Sequence, residues 1–147
     1  MNELSVSTFI AAPPSKVWEV MANRQSEWFC PAPWRCEVVE QDKRPGGANK
    51  LMFCGPDGEE MPQNGTFLAW DEGRRFAGTD AIVGDLEPAG PFMIGIWEVE
   101  PEGDGTRYTA RARHWREEDR KSHEEMGFIA GWEACAAQLK SICESEA

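Results

Sequence analysis

Only two histidines and one tyrosine occur among the 147 residues, and basic side chains are scarce, with 15 lysines and arginines against 26 aspartates and glutamates. The resulting net charge of −11 opposes close approach to phosphate backbones and anionic headgroups, so no nucleic acid is expected as a partner. No run of 18 apolar residues occurs, and membrane insertion by a helix is not expected. The opening "MNELSVSTFIAAPPSK" has no basic region followed by an apolar stretch, which points to a cytoplasmic protein. Internal repeats, low-complexity tracts and linkers are absent too, so residues 1–147 read as one domain. A chain of that size buries roughly 70% of its unfolded surface without covalent staples. Cys30, Cys36, Cys54, Cys135 and Cys143 are odd in number and sit in apolar patterns, where thiols pack as small hydrophobes.

What the chain has in excess is apolar aromatic area: seven tryptophans and seven phenylalanines. Leu4, Val6, Thr8 and Ile10 alternate with Ser5 and Ser7, the period-2 pattern of a half-buried strand. Pro13 and Pro14 mark a helix start, since the first amides of a helix lack intrahelical partners anyway. Pro14, Val17, Trp18 and Met21 then form its apolar stripe. Asn23 is placed to cap a second short helix ending near Trp28, and "WFCPAPW" follows as an aromatic loop. Six strands are read between Trp34 and Trp115: 34–41, 48–54, 64–70, 75–83, 92–100 and 106–115. The breaks "RPGG", "GPDGEE", "DEGRR" and "EGDG" supply the turn residues of antiparallel connections. Glu117 to Glu144 reads as one long closing helix, with Phe128, Trp132, Cys135, Leu139 and Ile142 at spacings of 4, 3, 4 and 3.

The order is therefore βα(α)β6α, an α+β chain. Six consecutive antiparallel strands must cover one face, and the closing helix is the only element long enough. A curved antiparallel sheet wrapped around that helix is expected. In the last strand Tyr108, Ala110, Ala112 and His114 share the inner side, leaving the arginines outside. On a helical wheel Glu124 falls on the stripe of Phe128 and Cys135. A carboxylate there is tolerable only beside water or a polar ligand, which makes the first turn the mouth of a cavity; the alternative is that Glu124 and Glu125 complement the helix N-terminus. Gly127 and Gly131, four apart, suggest close approach of a strand or ligand.

Several motifs in order resemble a known family. "FIAAPPSKVWEVMAN", "EWFCP", "DKRPGG", "NGTFLAWDEGRRF", "GTRYTARARHW" and "HEEMGFIAGWEACAAQL" are similar to the START-like, helix-grip (Bet v-like) proteins of the SRPBCC group related to the activator of heat shock protein 90 ATPase. The resemblance implies an apolar cavity between sheet and helix, used by different members for lipids, polyketide-like compounds or partner proteins, and no shared catalytic residue. Its chaperone-activator members are recognised as much by additional domains as by this one, so a chaperone partner is the least expected.

Binding of a small apolar molecule is the expected function. Its lining is drawn from Trp28, Phe29, Trp34, Phe53, Phe76 and Trp97, together with His114, Glu124, Phe128 and Trp132. One alternative is a cyclase- or dehydratase-like enzyme in which His114 works with Glu124 or Asp80 as acid and base; another is a co-chaperone-like interaction domain. Cys30, Cys36, His114 and His123 nominally supply four metal ligands, but their spacing matches no coordination frame. Neither metal nor cofactor is expected. "EPAGPFMIGIWEV" offers an apolar strand to a second copy, so a homodimer is among the permitted arrangements.

Overall fold

The structure is a computed structural model that describes residues 2–83, 87–88 and 93–146. Its strands are β1 (Asn2–Ile10), β2 (Arg35–Gln41), β3 (Ala48–Cys54), β4 (Glu60–Asp71), β5 (Arg75–Thr79), β6 (Ile82–Val83), β7 (Glu87–Pro88), β8 (Met93–Glu102) and β9 (Gly105–His114). The helices are α1 (Pro14–Asn23), α2 (Glu117–Glu125) and α3 (Phe128–Ser145). Seven strands pair antiparallel in the order β1-β9-β8-β5-β4-β3-β2, and β6 with β7 forms a separate two-stranded ribbon.

Alternation sets the inner face. Leu4, Val6 and Ile10 of β1 are buried beside exposed Ser5 and Ser7, and in β9 Tyr108, Ala110, Ala112 and His114 are buried while the arginines between them are not. In β4 the register slips between Phe67 and Ala69. The bulge leaves Leu68 exposed and turns both Phe67 and Trp70, three residues apart, to the same side, with ring centroids 5.3 Å apart.

α1 begins at Pro14, its first helical position, and buries Val17, Trp18, Val20 and Met21. Each such side chain contributes roughly 1.5–3 kcal/mol on burial. α3 lies against β1 and α1 and buries Cys135, Ala136, Leu139 and Cys143. Its end is tied down by charge: Glu146 accepts from Lys16 Nζ at 2.6 Å and from Arg24 Nη2 at 2.8 Å. These cations hold the Glu146 carboxyl down at about 2. Lys140 Nζ donates to the Phe9 carbonyl at 2.7 Å, fixing the same helix to the end of β1.

Several sequence expectations need correction. The closing helix is two helices, because Gly127 has φ +80° and precedes α3 in the left-handed region, which glycine alone adopts at little cost. No protein atom beyond its own helix turn lies within 4 Å of where a Cβ on Gly131 would sit, so no strand approaches it. Asn23 does not cap the second turn; the 3-10 turn Gln25–Glu27 starts from Arg24 without a side-chain cap, and Asn23 Oδ1 accepts from Lys43 instead. The strand read over 75–83 stops at Thr79, where Thr79 Oγ1 accepts from the Ala81 amide and turns the chain. The strand read from 64 starts at Glu60, since β4 continues alongside the whole of β3. Phe92 and part of the "EPAGPFMIGIWEV" segment lie outside the described residues.

Candidate aromatic cleft and histidine pair

Half-buried rings meet where α3 crosses the concave face of the sheet. Trp97 from β8 stacks on Phe76 at 5.3 Å and 24°, and Phe76 stacks on Trp70 at 5.2 Å and 16°. On its other sides Trp97 meets Phe29 at 5.3 Å and Trp132 of α3 at 5.5 Å. Trp28, Phe29, Trp97, Tyr108, Trp132 and Cys135 line a cavity of about 20 Å³, room for little more than a water molecule. Burial raises the Tyr108 phenol well above its ordinary range and lifts the Cys135 thiol to about 12, so the wall is uncharged at neutral pH.

One wall is a loop held by one amide. Gln138 on α3 accepts from the Ala32 amide at 2.8 Å and donates through Nε2 to the carbonyls of Trp28 at 2.9 Å and Cys30 at 2.7 Å. Trp28 also donates from Nε1 to the Val20 carbonyl at 3.2 Å. The loop backbone, which has no sheet partner of its own, is thereby satisfied.

The row of rings continues past the cavity. Trp132 meets Phe128 at 4.5 Å, Phe128 stacks on His123 at 4.7 Å and 15°, and His123 meets His114 at 4.7 Å. Both histidines are buried, at 7% and 3% exposure for His114 and His123. His114 Nδ1 donates to the Asn2 carbonyl at 3.3 Å, which leaves Nε2 to accept from His123 Nδ1 at 2.5 Å. Burial and the neighbouring His114 lower the His123 pKa, against weaker pulls from Asp80 and Asp119. The bond joins the last strand to α2.

A family model described as "Activator of Hsp90 ATPase homolog 1-like protein" matches residues 11–144. The chain belongs to this family. Protein NE0264 of Nitrosomonas europaea is 36% identical over 98% of this chain and 95% of its own, with a TM-score of 0.90. Protein Ms6760 of Mycobacterium smegmatis is 26% identical over 99% and 92%, with a TM-score of 0.82. The AHSA1 protein of Silicibacter pomeroyi, 17% identical over 99% of each chain with a TM-score of 0.73, shares the fold. None of the curated proteins matches. The curved seven-stranded sheet with α3 on its concave side is the helix-grip fold of these relatives.

Within this family member, the residues singled out in the sequence divide into three groups. Trp28, Phe29, Trp97 and Trp132 border the cavity. Phe76 lies behind Trp97, and Trp34 and Phe53 pack farther along the sheet on Cys30, Cys36 and Leu51. Phe128 and His114 sit at the other end of the ring row. Glu124 does not join them: it is exposed and accepts from Arg120 Nη1 at 3.1 Å. The wheel phase that placed it inward was carried through Gly127, where the helix breaks, and His123 is the buried residue of that turn. Asp80 is exposed and accepts from the Met93 amide at 3.3 Å. The four nominal metal ligands do not converge, and among the described residues no group of three histidines, cysteines or acids is arranged to hold an ion. Among the described residues no helix is long and apolar enough to cross a membrane.

Sequence reasoning missed Tyr108 and Cys135 as cavity residues, though both lay on inward positions, and it missed Gln138 altogether. Alternation and helical stripe were the available signals for the first two. An amide gripping a loop more than 100 residues away leaves no local trace.

Proposed function

We propose that this family member binds a small, flat apolar molecule between the sheet and α3. The observation that carries this reading is that Phe29, Trp97 and Trp132 meet around a cavity while each remains half-buried, whereas ordinary core rings are sealed. At about 20 Å³ the cavity is far smaller than the roughly 300–1,000 Å³ of a typical ligand pocket. A guest therefore enters by displacing Trp132 or Phe29 and stacking on Trp97 in its place. Acid–base catalysis draws less support, since Glu124 points to solvent and His114 spends both ring nitrogens on Asn2 and His123. Five cysteines without a disulfide accord with a reducing compartment such as the cytoplasm.

The test is a thermal-shift and tryptophan-fluorescence titration of the wild type and Trp132→Ala with naphthalene- and indole-sized compounds. Saturable stabilisation is expected, reaching about 2.7 kcal/mol at 100 times Kd, with tighter binding to Trp132→Ala, whose cavity is already open. If neither protein gives a saturable response to any compound, the cleft is plain core and the proposal fails.

A further inference from the structure

Beside the cleft, but outside its lining, Cys30 and Cys36 are brought together by a reversal of the chain. The Trp34 amide donates to the Pro31 carbonyl at 3.0 Å, closing a four-residue turn that folds residue 30 back over the start of β2. Cys36 is the first inward position of β2, and its side chain packs with those of Cys30 and Leu51 in one buried cluster flanked by Phe29, Trp34 and Phe53. Gln138 holds the Cys30 carbonyl at 2.7 Å, so Cys30 is fixed from both sides. Cys135 lies near enough to act electrostatically on both thiols, yet it is raised to about 12 and stays protonated.

From this placement we infer that Cys30 and Cys36 are a dithiol modification site, oxidised by a hydroperoxide to an intramolecular disulfide that ties the Trp28–Phe29 loop to β2. Cys30 is the attacking sulfur. A hydrogen bond from the Cys36 thiol lowers the Cys30 pKa and correspondingly raises that of Cys36, and the thiolate is the reactive form. In the first step an S–O bond forms on Cys30 and the O–O bond breaks. The distal oxygen leaves as hydroxide and is protonated to water when hydrogen peroxide is the oxidant. In the second step the Cys36 sulfur attacks the Cys30 sulfenic acid, so that the S–S bond forms, the S–O bond breaks, and the departing hydroxide takes the Cys36 proton as a second water. Two electrons pass from the two thiols to the peroxide. The inference stands whether or not the cleft takes a ligand.

The chain itself supplies a clean assay, because Arg35 separates the two cysteines and trypsin places them in different peptides, 25–35 and 36–43. The folded full-length protein is treated with equimolar hydrogen peroxide, denatured in an alkylating agent, digested and mapped by mass spectrometry. Peptides 25–35 and 36–43 are expected joined, with alkylatable thiols falling from five to three, and dithiothreitol should restore all five. Cys36→Ser should instead stop at a sulfenic acid on Cys30 that dimedone traps. The inference is overturned if both peptides are recovered alkylated, if the disulfide joins any other pair, or if Cys30 proceeds to the sulfinic acid in the wild type. Should Cys36→Ser fail to fold, the wild-type map alone decides.

Discussion

His123 and Phe128 stack across the break between α2 and α3, their ring centroids 4.7 Å apart and their planes 15° from parallel. The stack and the bond to His114 hold α2 onto the sheet.

A pH dependence follows. The folded pKa of His123 lies below its ordinary 6.5, so the unfolded chain binds the proton more readily than the folded one. The stabilisation is fully present above about 6.5 and is lost as pH falls through the window beneath it. The melting temperature should therefore drop between pH 7.5 and 5.5, and His123→Gln should flatten that slope. An unchanged slope in the variant would remove His123 from the account. The lowered carboxyls, Glu146 among them at about 2, titrate in a more acidic window and do not confuse the measurement.

Gln138→Ala deletes three hydrogen bonds to the loop at Trp28, Cys30 and Ala32. Carbonyls left unsatisfied beside α3 cost about 1–3 kcal/mol. Urea denaturation should show a loss in that range, and hydrogen exchange at the Ala32 amide should accelerate while the β9 amides stay protected. Gln138→Glu keeps the acceptor for Ala32 but turns a carboxylate toward two carbonyls, and should destabilise at least as much.

Gly127→Ala meets no atom within 4 Å, so its penalty is conformational and not steric. A φ of +80° costs an L residue roughly 1–2 kcal/mol. Thermal unfolding of Gly127→Ala should show a loss of that size, and Gly127→Asn a smaller one. Equal stability in the alanine variant would mean that α2 and α3 can run on as one helix.

Thr106 is fully buried and donates from Oγ1 to the Ala12 carbonyl at 2.7 Å, tying the start of β9 to the approach to α1. Thr106→Val keeps the shape and leaves that carbonyl without its donor. Chemical denaturation should register a loss of about 1–3 kcal/mol, whereas Thr109→Val on the outer face should be near neutral.

How far the site was legible depends on the residue. The inner positions Val17, Trp18, Tyr108 and His114 followed from period alone, because a strand repeats every two residues and a helix every 3.6. Glu124 was misplaced by the same arithmetic, since a wheel holds only while the backbone stays helical and Gly127 resets it. His123 became the buried member of that turn for this reason. The packing of Cys30 with Cys36 hangs on a turn at Pro31–Trp34 that a proline-rich string suggests only as irregular structure.

By itself the amino-acid order determined the α+β class, the strand count of the main sheet, the faces that the first and last strands bury and the covering of the sheet by the C-terminal helical segment, because all of these follow from local period and turn chemistry. Tertiary structure alone decided that Gln138 grips the aromatic loop, that His114 and His123 are hydrogen-bonded, and that the rings of the cleft meet around a cavity of about 20 Å³. Those outcomes depend on how side-chain volumes from distant segments fill a common space, and no periodicity along one segment records that sum.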